Sequence, residues 1–336
     1  MLVFLVAGCS GGATTPGGAT TPPGSAGGLG DGAMVTAAME IPAGSTVTIP
    51  AGAKIVAAPG VVITVRGVLT VSSASARAHA RIATSAPHPD QDHSWGGIVV
   101  DSGGRLEADG LDLAGATTAL TVNAGSLGAR YDNGTITEVQ VPFEIAAGAR
   151  LDTKHATVVN ADGASGVGGE FHASYLDYET SANVLGGFIM TGAGAIFDAT
   201  DSTFHGTPNG GNDYIISYAS RLVHVAYSTI TDAHCGFHFN NVERFEIDHV
   251  TAGASSPAGP AGRVVYGAML YGSGAGPNII SNSSFMGTEF DIDQQNQNGP
   301  LTIANTYAKG QVTILPSSKW LPGDMASAPI SDAKPR

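Results

Sequence analysis

Three short segments decide how this chain is read: Ala195-Ile-Phe-Asp-Ala-Thr-Asp-Ser-Thr-Phe204, Leu222-Val-His-Val-Ala-Tyr-Ser-Thr-Ile230 and Arg244-Phe-Glu-Ile-Asp-His-Val250. Each alternates apolar with small or polar residues and carries a large apolar residue beside a polar corner. Similar units recurring every few tens of residues indicate stacked supersecondary units, because one such unit has too little apolar face to fold alone.

Composition supports a stack. Glycine is abundant, at 47 of 336 residues, but has no three-residue period, which excludes a collagen-like chain. It clusters at the ends of alternating runs, where the backbone needs positive φ. Charged residues make up only 13% of the chain. In stacked parallel strands, equivalent side chains recur about every 4.8 Å, and like charges at that spacing repel by roughly 1 kcal/mol even in water. The net charge of −13 argues against nucleic acid as a partner. It also disfavours an anionic polysaccharide without a bridging cation. The two cysteines, Cys9 and Cys235, form no CxxC and imply no disulfide framework. Cys235 is expected to be a small buried apolar residue.

Read in order, the chain begins with an apolar run ending in Val6-Ala-Gly-Cys9, which resembles a bacterial lipobox with Cys9 as the lipidated residue. A basic n-region is missing and the apolar run is short. Residues 10–33 are Gly, Thr, Pro and Ser with almost no large apolar side chain, and read as a tether. Residues 34–316 are β-branched runs punctuated by Gly and Pro, such as Ser45-Thr-Val-Thr-Ile-Pro-Ala-Gly-Ala-Lys-Ile55 and Val61-Val-Ile-Thr-Val-Arg-Gly-Val-Leu-Thr-Val71. Residues 317–336 read as a cap remnant and tail.

The order of these runs, followed by a polar insertion and Trp95-Gly-Gly-Ile98, resembles the opening of right-handed parallel β-helix repeat proteins of pectate-lyase-like architecture. The resemblance implies an all-β, single-stranded solenoid of roughly ten coils. Later units align on Leu111, Ile136, Val158, Leu176, Phe204, Ile230, Val250, Phe285 and Tyr307, with a mean spacing near 24.5 residues. Leu106, Tyr131, Phe171, Val225, Phe245 and Ile280 form a second expected inward column. Right-handedness follows from the resemblance and the general crossover bias.

The motifs of that resemblance are architectural, so chemistry must be sought in side chains on an outer face. If Phe237, Phe239, Phe290 and Ile292 point inward, alternation turns His238, Asp291 and Asp293 outward. These three, with Asp213, are the candidate acid–base set for a glycan. Tyr214, Tyr218, Tyr271 and Glu144 are the candidate substrate contacts. The basic residue of pectate lyases and the Gly-His-Gly with paired aspartates of polygalacturonases have no recognisable counterpart. The histidines fall at different column offsets and show no compact zinc spacing. In the loop before Trp95, His88, Asp90, Asp92 and His93 offer oxygen and imidazole ligands suited to Ca2+ or a transition ion.

The expected protein is therefore a monomeric, lipid-anchored or secreted envelope protein, membrane-attached through Cys9, whose solenoid recognises a polysaccharide. A polysaccharide lyase or glycoside hydrolase is the first alternative, and a non-catalytic adhesive spacer the second.

Overall fold

The chain forms a parallel β-solenoid of about ten coils, of the right-handed parallel β-helix type. A computed structural model describes residues 29–72, 78–84, 93–181, 187–206, 215–253, 264–274, 276–295, 299–308 and 310–321. All ladders between coils are parallel, and the described residues contain no helix.

Each coil contributes to three faces. The first face includes Val141–Ile145, Ser165–Val167, Ile189–Thr191, Ile215–Tyr218, Ala233–Val242 and Val264–Ser273. The second includes Arg105–Asp109, Ala129–Asp132, Arg150–Lys154, Glu170–Ser174 and Ile196–Thr200, continuing into Leu222–Thr231. The third includes Leu111–Ala114, Thr135–Val139, Thr157–Ala161, Asp177–Thr180 and Thr203–His205. Most of these strands place apolar or small residues at alternate positions, as in Arg105–Asp109 and Ile196–Thr200, so each turns one largely apolar row inward and one more polar row outward.

The inward rows stack into a continuous core. On the third face, Leu113, Ile136, Val158, Tyr178, Phe204, Ile230, Ala252 and Phe285 occupy successive rungs of one column. The sequence alignment is correct at Ile136, Val158, Phe204, Ile230 and Phe285. It is displaced by two residues at Leu111, Leu176 and Val250, and by one at Tyr307, which lies opposite Ser284. A two-residue slip keeps the same inward parity, so an apolar pattern alone does not reveal it. The second expected column divides likewise. Leu106, Phe171 and Phe245 share one row, while Tyr131, Val225 and Ile280 belong to the adjacent one.

Between the second and third faces the chain turns on a single residue in the left-handed conformation. Asn133, His155, Tyr175, Asp201, Tyr227, His249, Asn282 and Asn305 all have φ between 41° and 54°. Asparagine tolerates that region because its short amide bonds locally; larger side chains adopt it at a cost. The Asn305 amide donates to Asn282 Oδ1 at 2.8 Å, continuing the column along the axis.

Candidate functional site

On the first face, outward side chains from successive coils form parallel columns. One runs Met190, Ile216, His238, Met269, Asp293. Beside it runs Tyr218, Asn240, Tyr271, Gln295. A third runs Cys235, Tyr266, Phe290. Rings meet across these columns: His238 lies 5.3 Å from Tyr271, His234 lies 5.5 Å from Tyr266, and Tyr266 stacks on Phe290 at 6.0 Å. Tyr218 is 48% exposed at one end of its column.

The expected catalytic set is only partly assembled. His238 and Asp293 do face outward in one column, but Met269 occupies the rung between them. Two rungs separate them by roughly 10 Å, beyond hydrogen-bond reach. Asp293 is 4% exposed and accepts from the Gln295 amide at 2.6 Å.

Asp291 is not on this surface at all. Gly236, Gly267 and Asp291 form an inward row, and Phe237, Ala268 and Ile292 immediately after them also point inward. Strict alternation therefore fails at this bend, where the register shifts between Phe290 and Ile292. The buried Asp291 carboxylate accepts the Gly287 N–H at 2.6 Å and also the Gly310 N–H. It thereby satisfies two backbone donors beside the irregular ladder.

Glu144 shares the His238 column but lies four rungs away, through Gly166, Met190 and Ile216. Its carboxylate folds across the side-chain-free Gly166, and burial raises its pKa above the ordinary carboxylate value. Asp213, Tyr214, Cys9, His88, Asp90 and Asp92 lie outside the described residues. His93 is exposed, and its carbonyl accepts from Thr84 Oγ1 at 2.7 Å. Among the described residues, no group of three or more His, Cys, Asp or Glu side chains is arranged to hold a metal ion.

Burial and nearby ionisable groups keep His238, Tyr266 and Tyr271 of the first face in their neutral forms near pH 7. Burial, then the nearby His234, lowers the His238 pKa, so its imidazole is neutral near pH 7. Burial, followed by the Asp293 charge, raises the Tyr271 phenol. Tyr266 donates to Glu289 at 2.6 Å, and chiefly through that bond its phenol is pushed up to about 12. Cys235 is buried beneath this surface with its thiol donating to Met269 Sδ at 3.4 Å, and desolvation pushes its pKa to about 12. A thiol so protonated is a poor nucleophile.

The second face holds an arrangement that the sequence reading missed. Glu107, Arg130, Asp152, His172, Asp198, His224 and Glu246 occupy consecutive rungs of one outward column, alternating acid and base. Asp198 stands between two histidines, 2.7 Å from His224 Nδ1 and 3.4 Å from His172 Nδ1. The His224 hydrogen bond lowers the Asp198 pKa, and the same bond raises that of His224. This column brings His172 and His224 to one offset, a departure for these two from the expectation that the histidines fall at different column offsets; His205, His234 and His238 lie on other columns. A local signal was available: Arg105-Leu-Glu107, Arg130-Tyr-Asp132, Arg150-Leu-Asp152 and Arg244-Phe-Glu246 each place opposite charges on one side of a strand. The column borders a shallow cleft of about 300 Å³, lined by Arg130, Asp152, Lys154, His172, Ser174 and Asp198 among others. Within the column Asp198 pairs with both histidines, while Glu107, Arg130, Asp152 and Glu246 each pair with the opposite charge two residues away in sequence. The alternation keeps like charges off adjacent rungs.

No family model matches the chain, and neither a curated protein nor a solved structure does.

Proposed function

We propose that this solenoid recognises a polysaccharide along its first face. The observation that supports the reading is the column Tyr218, Asn240, Tyr271, Gln295, in which phenol rings alternate with amides on successive rungs. Rings two rungs apart, roughly 10 Å, provide apolar platforms for sugar rings at the scale of a disaccharide. The intervening amides both donate and accept, matching sugar hydroxyls. This column is built of neutral groups and the charges beside it, Asp293 and Glu289, are acidic, which suits a neutral glycan better than a polyanion.

Recognition is favoured over turnover by the same geometry. General acid–base chemistry works through groups within about 2.6–3.2 Å of the proton they move, directly or through one water, whereas the rungs adjacent to His238 in its column hold Ile216 and Met269, and Asp293 lies two rungs away. We also propose lipid attachment at Cys9, on the strength of Val6-Ala-Gly-Cys9 and the tether-like stretch after it. Such attachment makes the chain a bacterial envelope protein that displays this face.

Affinity electrophoresis against a panel of polysaccharides tests the reading. Retention without product release is expected, and Tyr218→Ala or Tyr271→Ala is expected to weaken it about 2- to 10-fold, from roughly 0.5–1.5 kcal/mol per stacked ring. No retention on any glycan would reject recognition, and product release that is lost in His238→Ala would establish the hydrolase or lyase alternative. Unchanged mass and membrane association in Cys9→Ser would reject the lipid anchor.

A further inference from the structure

The corner column between the second and third faces holds a second arrangement, independent of the glycan-binding proposal. Its outer rungs, Asn133, Asn282 and Asn305, carry the residue best suited to a left-handed corner. Its middle rungs do not: they read His155, Tyr175, Asp201, Tyr227, His249, all at φ between 49° and 54°. Consecutive positions occupy consecutive rungs, as the bonds from His155 N–H to Ser174 O, Tyr175 N–H to Thr200 O and Asp201 N–H to Ala226 O show.

The rings are ordered symmetrically about the aspartate. His155 stacks on Tyr175 with centroids 4.5 Å apart and planes 20° from parallel. Tyr227 stacks on His249 at 4.5 Å and 22°. The Asp248 carboxylate holds His249 through Nδ1 at 2.7 Å. Each tyrosine is thus backed by an imidazole on its far side, with its other face directed along the column toward the Asp201 rung. Tyr175 is 37% exposed.

We propose that Tyr175, Asp201 and Tyr227 form a clamp for an alkylammonium group. The two tyrosines are two rungs, or roughly 10 Å, apart. A cation midway is about 5 Å from each ring, within the roughly 6 Å reach of a cation–π contact. Asp201 supplies the opposite charge on the rung between, and a carboxylate has lone pairs on two oxygens for more than one partner. Bulky aromatic side chains in a left-handed conformation are costly, and such cost is commonly retained where side chains serve a site. The chemistry selects a compact cation with an apolar skin, such as a methylated ammonium, over a neutral group of the same shape.

The probe is choline, titrated into the full chain and followed by the ring resonances of Tyr175 and Tyr227. The control is its uncharged isostere with carbon in place of nitrogen. Choline is expected to saturate, with the isostere at least about 10-fold weaker. Asp201→Asn, Tyr175→Asn and Tyr227→Asn each install the residue already used elsewhere in this column, so folding should be preserved and is checked by circular dichroism. Asp201→Asn is expected to weaken choline about 5-fold or more, and either tyrosine variant about 3-fold or more. Equal binding of choline and its isostere, or undiminished choline affinity in folded Tyr175→Asn and Tyr227→Asn, would overturn the clamp. Neither result bears on polysaccharide retention by the first face.

Discussion

His224 Nδ1 lies 2.7 Å from Asp198 Oδ1, although 26 residues separate them in sequence. The solenoid brings them onto adjacent rungs, with Glu246 beyond His224, Glu170 and His172 on the other side, and Asp248 nearby.

This contact predicts a pH dependence. His224 is raised above its usual 6.5, so its contribution to stability is complete below that value and is lost as pH rises through the folded pKa. Asp198 is lowered below 3.8, so its contribution is present above that value and is lost as pH falls through the folded pKa. The pair therefore stabilises most between about pH 4 and pH 6.5. Both side chains are about a third exposed, so solvent screening limits the effect to roughly 0.5–1 kcal/mol. Urea unfolding at about pH 5.5 and pH 8.5 should show this loss in the native chain and a flatter response in Asp198→Asn. An unchanged slope in the variant would count against the contact.

Asp291 is expected to be structural. Asp291→Ala leaves the Gly287 and Gly310 N–H groups without their carboxylate acceptor, at a cost of roughly 2–5 kcal/mol. Asp291→Asn retains one acceptor oxygen and should lose less. Denaturant midpoints separate the three proteins. A stable alanine variant that had lost only glycan retention would instead return Asp291 to the binding surface.

Gly97 has φ of 101°, and a Cβ there would overlap the Thr118 carbonyl of the next coil. Gly97→Ala is therefore expected to destabilise by more than about 2 kcal/mol, because strain and overlap act together. A thermal melt within a degree of the native chain would contradict the close approach.

Cys235 should resist alkylation in the folded chain at about pH 8 and react once urea unfolds it, since its thiol titrates near 12 and is covered by neighbouring side chains. Peptide mapping by mass spectrometry distinguishes it from Cys9. Rapid labelling of Cys235 in the native chain would show that this part of the face opens.

The parallel solenoid was legible because β-branched alternation and glycine punctuation are local consequences of strand geometry. The column of Ile136, Val158, Phe204, Ile230 and Phe285 could be read for the same reason. The site was less legible. Twenty residues separate Asp152 from His172, yet 26 separate His172 from Asp198. A uniform period near 24.5 residues therefore places each at the wrong position along its coil, because turn length varies while each rung still returns to the same column. Asp291 was misplaced by a different cause: the bend after Gly236 and Gly267 gives two successive inward residues, where a regular strand gives one.

By itself, the sequence determined the class of architecture, the inward apolar rows and the scarcity of charge that stacking demands. The tertiary structure decided which polar residues meet. Tyr218 with Asn240 and Tyr271, Asp198 with its two histidines, and Tyr175 with Tyr227 across Asp201 are each made neighbours by coil register. Register depends on how many residues every intervening turn consumes, a quantity that local alternation does not encode.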